Sequence, residues 1–294
     1  MISAIQRQED GTIRLTVTVP SDAVKKTWDE VIENAVKNAE VAGFRKGKAP
    51  KHLVEEKIDK TKVQEEVLKK LLPQYYIEAI KEHNINPIMS PKIHVEKIDD
   101  LSTLSDPELV EGESKGWQFT ALTCEAPTVN LNNYKENIKS ITAKAKILIP
   151  GKPFDKAQGI REVKFEDIVK ALTDSVTVDI PEILLNSEVD KLLAQTLNEI
   201  KRLGLTLDQY LASTGKTPET LREEYTRRAK KDIILEFALQ KIATDQHIQV
   251  SEKELEEAIQ KTKDPNEKKN LENNRYLLAN ILRQQKTLDF LKNL

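Results

Sequence analysis

Apolar and polar residues alternate strictly near the start of the chain. In the run 12–19 every second residue is aliphatic, which is typical of a strand with one buried face. Asp10-Gly11 separates this run from an earlier one at 2–8, and such a pair between two runs is a strong hairpin signal. Two further runs, 92–98 and 117–125, predict two more strands. A small antiparallel sheet is therefore predicted in the first part of the chain.

Between these strands the apolar residues change to helical spacing of three and four. One apolar set begins at Val24, after the helix-capping residues 20–22. A second extends over 63–82 and contains Pro73, where a kink or a break is expected. Both helices would cover the sheet, so residues 1–127 are predicted to form an α+β domain.

The remainder of the chain is predicted to be helical after an extended connection. Residues 128–164 are punctuated by proline and glycine and predict a linker or arm. From 165 to 294 the apolar spacing is helical and predicts an all-α domain, with a capping box at 251–254. Leucine and isoleucine residues from Leu271 to Leu291 predict one last packed helix. The predicted fold is an elongated arrangement of an α+β and an all-α domain.

Composition limits the partners of this chain. Charged residues make up 32% of its 294 residues, against about 25% in an average globular protein, which favours a large surface. The net charge of -2 excludes a globally basic nucleic-acid wrapper, so any phosphate recognition must be local. A single cysteine, Cys124, and a start without a secretory signal predict the cytoplasm. No apolar run is long enough to predict a membrane helix.

One short segment combines glycines, cations and an aromatic ring. The sequence from 43 to 52 reads Gly-Phe-Arg-Lys-Gly-Lys-Ala-Pro-Lys-His, and its glycines permit a sharp turn. The cations supply attraction to phosphates, and the phenyl ring supplies an anchor. We predict a docking loop for a nucleic acid or ribonucleoprotein. Its candidate binding residues are Gly43, Phe44, Arg45, Lys46, Gly47, Lys48, Pro50 and Lys51.

The segment Gly-Phe-Arg-Lys-Gly-Lys-x-Pro, at 43–50, resembles the ribosome-docking signature of the trigger factor family of bacterial chaperones. The resemblance continues over residues 1–127, which look like the ribosome-binding domain of that family. Phrases in the second half are similar to its helical substrate-cradle domain, at 178–185, 204–211, 214–219 and 248–255.

The resemblance implies an ATP-independent chaperone that meets nascent polypeptides at the ribosomal tunnel exit. Phe44, Arg45 and Lys46 would contact the exit-tunnel protein and ribosomal RNA, and Lys48 and Lys51 would add phosphate attraction. Unfolded nascent chains would be the second partner. The resemblance also implies self-association into a homodimer off the ribosome, and it implies neither a cofactor nor a membrane partner.

One part of the family pattern is missing. Trigger factors carry a prolyl-isomerase domain that resembles the FK506-binding proteins. Between Lys135 and Asp174 this chain has about 38 residues, whereas such a domain needs on the order of 100. We therefore predict a short form without prolyl-isomerase catalysis.

The sequence offers few residues for catalysis or metal binding. The four histidines are scattered, and with one cysteine they lack the spacing of a zinc site. Cys124 lies in an alternating run where a buried thiol is expected, and Asp99-Asp100 stands at a strand end where a turn is expected. No phosphate-binding loop or serine elbow is found. No catalytic residue, metal ligand or cofactor is predicted.

Two alternatives remain open from the sequence. A residual prolyl isomerase would need a folded pocket within 136–173, and a proline-peptide assay would detect it. A holdase that works off the ribosome, similar in plan to the periplasmic chaperone SurA, would not need the docking loop at 43–52.

Overall fold

A computed structural model describes residues 2–38, 60–98, 116–146, 165–262 and 264–294. The chain forms two compact units. The first contains residues 1–126 together with 181–183, and the second contains residues 127–180 and 184–294.

The first unit contains a four-stranded antiparallel sheet. Its strands are β1 (Ile2–Arg7), β2 (Thr12–Pro20), β3 (Lys92–Lys97) and β4 (Gly116–Cys124), in the order β1-β2-β4-β3. The alternation in β2 puts its aliphatic residues on one face, where Leu15 lies opposite Ala121 and Val17 opposite Phe119. All four side chains are fully buried or nearly so. The predicted antiparallel sheet is confirmed.

Two helices cover this face of the sheet. They are α1 (Ser21–Asn38) and α2 (Lys60–Glu82), and Val24 and Val67 bring them onto the sheet residues in one core. The helix α2 continues through Pro73, where a kink or break was expected. Buried Leu71 and Tyr75 pack on either side of the proline, and this burial offsets the lost backbone hydrogen bond.

The second unit consists mainly of helices. Their bounds are α3 (Tyr134–Lys146), α4 (Phe165–Ser175), α5 (Glu182–Arg202), α6 (Leu207–Thr214), α7 (Pro218–Asp245), α8 (Glu252–Lys261), α9 (Pro265–Asn273) and α10 (Arg275–Lys292). Two short strands, β5 (Val129–Asn130) and β6 (Thr177–Val178), pair antiparallel. The largest core joins α3, α4, α7 and α10 through Ile138, Leu172, Ile242 and Leu291. The fold class, an α+β part followed by a helical part, is confirmed.

The helix α3 was not predicted from the sequence. Residues 134–146 lie within the predicted extended linker 128–164, but they form a helix that packs against α4. The reason is the spacing of Tyr134, Ile138 and Thr142, which puts one residue per turn on the buried face. The many lysines and asparagines around them concealed this stripe. Residues 147–164 of the predicted linker lie outside the described residues.

The last predicted helix is in fact two helices. Asn274 ends α9 and precedes α10, so Leu271 belongs to a different helix from Leu278 and Leu291. The Asn274 side chain donates to the carbonyl of Asn270, and its φ and ψ depart from helical values. Heptad spacing across the break is therefore produced by two packed helices rather than by one.

One glycine of the sheet tests this architecture. Gly116 has φ +147°, and a Cβ there would overlap the Val19 carbonyl oxygen on the paired strand. We expect Gly116→Ala to lower the free energy of unfolding of the first unit by about 3 kcal/mol. Urea unfolding followed by tryptophan fluorescence measures this, because both tryptophans of the chain, Trp28 and Trp117, lie in that unit.

The matched control is Gly204→Ala in the second unit. Its φ of +72° also disfavours alanine, but a Cβ there would meet no atom within 4 Å. The control should leave the tryptophan-detected transition unchanged. An unchanged transition in Gly116→Ala would contradict the close approach of β4 to β2.

Candidate functional site

The predicted docking residues lie outside the described part of the chain. Gly43, Phe44, Arg45, Lys46, Gly47, Lys48, Pro50 and Lys51 all lie between residues 39 and 59. In sequence they connect α1 to α2, which pack against each other. Three further residues from the sequence analysis, His52, Asp99 and Asp100, also lie outside the described residues.

One exposed apolar surface of the second unit carries three leucines where α5 ends and α6 begins. Leu203 is 73% exposed, and Leu205 and Leu207 are close to 40% exposed. We call these three residues the leucine surface. Single exposed leucines are ordinary, but several in one turn indicate a site that contacts another molecule.

Backbone hydrogen bonds fix the turn that holds these leucines. The helix α5 ends at Arg202, and Gly204 takes a left-handed conformation with φ +72°. The Leu205 amide then donates to the Ile200 carbonyl at 3.1 Å. Thr206 and Gln209 form a capping box at the start of α6, with reciprocal bonds of 3.2 and 2.9 Å. These hydrogen bonds therefore fix the backbone of the turn that carries the leucine surface.

An open cavity of about 220 Å³ lies beside the leucine surface. We call it the α5–α7 cavity, because α5 supplies most of its lining, α6 supplies Tyr210, and α7 supplies Tyr225 and Arg228. The lining residues from α5 and its C-terminal end are Leu192, Gln195, Thr196, Glu199, Ile200 and Leu203. Leu203 thus belongs to both the cavity and the leucine surface.

Packing between α5 and α7 holds this cavity open. Val189 and Leu192 of α5 form one buried cluster with Ala229 of α7. Beside them the hydroxyl oxygens of Thr196 and Tyr225 are 2.6 Å apart and share a hydrogen bond. The Tyr225 ring is therefore fixed as one wall of the cavity.

The cavity rim carries charges of both signs. Glu199 comes from α5 and Arg228 from α7, and both residues are exposed. The Arg228 Nε lies 3.7 Å from Asp232 Oδ2, one helical turn away. Such an exposed pair is weak, so Arg228 is available to other acceptors.

A second exposed apolar surface lies on α10. It consists of Tyr276, Leu277 and Ile281, which are 82%, 58% and 49% exposed. A smaller groove of about 100 Å³ runs between Tyr276 and the neighbouring helix α7.

Two cations of α10 hold the connection between α7 and α8. The Arg283 Nε donates to the Ile248 carbonyl at 2.9 Å, and the Lys286 ammonium donates to the Gln249 carbonyl at 2.7 Å. Lys286 also bonds the Glu254 carboxylate at 2.7 Å. These contacts tie the α10 surface to the rest of the unit.

The Lys286 contact and hydrogen bonds from Ser251 lower the pKa of the Glu254 carboxyl from 4.5 to about 2. The Ser251 amide and hydroxyl donate to the same carboxylate oxygen at 2.8 and 2.9 Å. Since these donors favour the ionised form, Glu254 is a carboxylate that helps to hold α8 against α10.

Nucleophilic chemistry has little support among the residues described. Burial raises the pKa of the Cys124 thiol to about 11, so the thiol is protonated at neutral pH. Ser3 Oγ donates to Glu82 at 2.5 Å and lies 2.9 Å from His83 Nε2. In a catalytic triad the carboxylate bonds the imidazole, whereas here it bonds the serine.

Within the described ranges no three histidine, cysteine, aspartate or glutamate side chains cluster as metal ligands would. None of the helices in the described part of the chain is long and apolar enough to cross a membrane.

The leucine surface and the α5–α7 cavity were not predicted from the sequence. A signal for the surface exists in the segment 203–207, where leucines flank Gly204 and Thr206 and so stand in a turn. The lining of the cavity follows the same helical spacing as core residues and could not be told from them.

Two family models match the chain. The model described as "Bacterial trigger factor protein (TF)" matches residues 1–147, and the one described as "Bacterial trigger factor protein (TF) C-terminus" matches residues 155–293. Only residues 148–154 lie between the two matched segments.

The alignments with individual relatives cover all or nearly all of the chain. The chain is 20% identical to the trigger factor of Staphylococcus epidermidis over 422 positions, which span 100% of this chain and 98% of the relative. It is also 20% identical to the trigger factor of Moorella thermoacetica over 420 positions, which span 99% and 94%. Because this chain has 294 residues, the remaining positions face gaps in it.

A solved structure has the same fold. It comes from work titled "Promiscuous Substrate Recognition in Folding and Assembly Activities of the Trigger Factor Chaperone". The two chains superpose with a TM-score of 0.65 at 14% identity, covering 100% of this chain and 99% of the other. At this identity the similarity supports the fold.

The Glu254 contact predicts how acid affects the second unit. The pKa of the folded carboxyl lies below the ordinary value, so its stabilising contribution is present above pH 4.5 and is lost as the pH falls toward 2. We expect Lys286→Met to lower the melting temperature by a few degrees at neutral pH and by less at a pH between 2 and 4.5. Thermal melts followed by circular dichroism measure this.

The control is Lys241→Met, which removes a lysine that pairs with Asp245 within the same helix at 3.0 Å. It should cause a smaller loss at neutral pH, since exposed pairs within one helix contribute little. An equal loss for Lys286→Met at both pH values would contradict the Glu254 contact.

Proposed function

Since this chain belongs to the bacterial trigger factor family, we propose that it is an ATP-independent chaperone that docks on the ribosome and holds nascent polypeptides at the tunnel exit. Its role as a chaperone follows from the family, and docking and the client surface are the proposed parts. The observation that supports this client surface is the exposure of Leu203, Leu205 and Leu207 on a turn fixed by hydrogen bonds.

The docking step uses the basic loop 43–51, within the proposed ribosome-binding domain 1–127. Phe44, Arg45 and Lys46 contact the exit-tunnel protein and ribosomal RNA, with Lys48 and Lys51 attracted to phosphates. Gly43, Gly47 and Pro50 complete the set of proposed docking residues. Such a small and charged interface forms quickly, dissociates quickly and weakens with salt.

The holding step uses the leucine surface of the proposed chaperone domain, 165–294. Fully covering one exposed leucine contributes roughly 1.5–3 kcal/mol, so three partly covered leucines give weak and reversible binding. Apolar burial has no direction and places no demand on client sequence. A client therefore binds while it is unfolded and leaves when its own core forms, without nucleotide hydrolysis.

We also propose that the chain does not catalyse prolyl isomerisation. Residues 148–154, the only ones between the two family matches, are far fewer than an isomerase domain of the ordinary size. The helices α3 and α4 that flank this region pack against each other and belong to the helical core. These observations support a short form of the family.

Ribosome docking is tested with the variant Phe44→Ala/Arg45→Ala/Lys46→Ala. We expect the unmodified chain to co-sediment with empty bacterial ribosomes and to dissociate as salt is raised. The variant should lose at least about tenfold in affinity, because it lacks the anchor and two cations.

The matched control is Lys230→Ala/Lys231→Ala, which removes two exposed cations from α7. It should co-sediment like the unmodified chain. Equal sedimentation of the triple variant, or none of any protein, would leave a ribosome-independent holdase as the better account.

Client holding is tested with Leu203→Ser/Leu205→Ser. We expect this variant to bind an unfolded client roughly tenfold more weakly, because two exposed leucines are lost. Suppression of aggregation during refolding of a denatured protein measures this, over a range of chaperone concentrations.

The control for this variant is Leu197→Ser. Leu197 is 38% exposed on α5 but lies outside the cavity lining and the leucine surface. It should keep most of the holding activity. If both variants hold clients as well as the unmodified chain does, the leucine surface is not the client surface.

A further inference from the structure

We infer that residues 206–216, which contain α6, form a lid that is latched by the ion pair of Lys216 and Glu224. We call these residues the lid segment. In the latched position the lid segment completes the leucine surface, and in the open position it divides that surface. The inference rests on the proposed chaperone function and concerns how the client surface is regulated.

The hydrogen bonds of the lid segment are almost all internal. The capping box of Thr206 closes its first end, and a backbone bond from the Lys216 amide to the Leu211 carbonyl closes its second end. Among the residues that the structure describes, one hydrogen bond leaves the segment, from the Lys216 ammonium to the Glu224 carboxylate of α7. The lid segment is therefore a rigid body that a single polar contact holds to the rest of the unit.

The apolar anchoring of the lid segment is also small. Leu211 is the one buried residue of α6, at 7% exposure. Tyr210 and Lys216 are half-buried, and the other residues of the segment are exposed. Local opening occurs where few apolar side chains are buried. The lid segment therefore leaves its place without unfolding of α5 or α7.

The lid segment pivots at its two ends. The Leu205 amide donates to the Ile200 carbonyl and so belongs to α5, whereas Thr206 caps α6. At the other end the Lys216 amide donates into α6, whereas Thr217 caps α7. Each pivot is the link between two neighbouring residues that belong to different helices. Hinges of moving segments lie at such element ends.

A glycine stands beside each pivot. Gly204 has φ +72° and Gly215 has φ +66°, a left-handed conformation that glycine adopts readily. A Cβ at either position would meet no atom within 4 Å. The backbone at both ends therefore turns in open space.

Opening of the lid changes both features of this region. Leu203 and Leu205 stay with α5, whereas Leu207 lies in the lid segment. Opening therefore removes one of the three leucines from the leucine surface. It also withdraws Tyr210 from the lining of the α5–α7 cavity. A client held by all three leucines stabilises the closed lid, because a ligand favours the state that it binds better.

The latch is an exposed ion pair and so responds to salt. The side chains of Lys216 and Glu224 are 32% and 49% exposed. Their hydrogen bond raises the pKa of Lys216 and lowers the pKa of Glu224, so both groups are charged at neutral pH. Salt screens exposed pairs of this kind. Raised salt therefore favours the open lid.

The test places a thiol on the buried side of the lid. In Leu211→Cys the new thiol reacts with a maleimide only when the lid segment opens. The matched control is Leu192→Cys, the same change at a residue that is 8% exposed and packs between α5 and α7. The native thiol of Cys124 is buried and reacts slowly in either protein. Peptide mass spectrometry identifies the thiol that has reacted, and circular dichroism establishes that each variant is folded.

We expect the thiol at position 211 to react at least about tenfold faster than the thiol at position 192, because the lid opens locally. Adding Lys216→Met should speed the reaction at position 211 and leave the reaction at position 192 unchanged. The exchanged pair Lys216→Glu/Glu224→Lys should restore the slower reaction, because it restores the contact with the signs reversed.

Salt gives an independent readout of the latch. Raising the salt concentration should speed the reaction in Leu211→Cys and have little effect once Lys216→Met has removed the latch. Lys191→Met is the control for the loss of a lysine, since the ion pair of Lys191 with Glu188 lies within α5. It should leave the reaction at position 211 unchanged.

Client holding connects the lid to the proposed function. Lys216→Met, without a new cysteine, should hold a refolding client roughly threefold more weakly, because Leu207 leaves the client surface more often. The exchanged pair Lys216→Glu/Glu224→Lys should hold clients like the unmodified chain. Suppression of aggregation at constant salt measures both.

Two outcomes would overturn the inference. One is an equally slow reaction at positions 211 and 192 at every salt concentration, with no effect of Lys216→Met. The other is a faster reaction at position 211 in Lys216→Met with unchanged client holding, because the lid would then not complete the client surface. Failure of the proposed function is distinguishable, since the unmodified chain would then not suppress aggregation, whereas the thiol reaction needs no client.

Discussion

The close packing of α7 against its neighbours is the interaction on which the helical unit depends. Near its middle Ala229, with no exposed surface, meets Val189 and Leu192 of α5. Farther along, Ala238 and Ile242 enter the core shared with α3, α4 and α10. One helix of 28 residues therefore builds both the cavity region and the main core. Its small residues matter because they let other helices approach closely, at a density that larger side chains would prevent.

The exposed apolar surfaces of this unit are what the packing leaves uncovered. The turn after α5 is saturated by its own backbone bonds and by the Thr206 cap, so it needs no further layer to hold its leucines. Around Tyr276 of α10, cations such as Lys286 and Arg283 secure the connection below while the apolar residues remain exposed. Ordinarily such apolar area would be a liability for aggregation. In the chaperone role that we propose, the leucine surface would be the means of contact with clients, and its small size would keep the contact reversible.

The function that we propose uses two different forces. Docking by the basic loop 43–51 would act through charge, which is long-ranged and weakened by salt. Client holding by the helical unit would act through apolar burial, which is short-ranged and indifferent to sequence. A chaperone built in this way can be recruited to a ribosome by one property and bind clients by the other. The region between the two family matches, residues 148–154, is too short to form a third domain.

Much of the fold was predictable because periodicity and capping are local. Alternation from Ile13 to Val19 identified β2, and the capping box at 251–254 marked a true helix start. Long-range packing decided what local patterns missed, namely the helix α3 within a polar segment and the absence of a break at Pro73 in the helix α2.

The functional surface shows the same limit. Sequence by itself determined the α+β and helical parts, the family resemblance and the basic loop, since each depends on residues that are near one another along the chain. Only the tertiary structure decided that Leu192 is buried while Leu203 is exposed, and that residues of α5, α6 and α7 enclose one cavity. The physical reason is that spacing fixes which residues share a face, whereas burial depends on which other element covers that face.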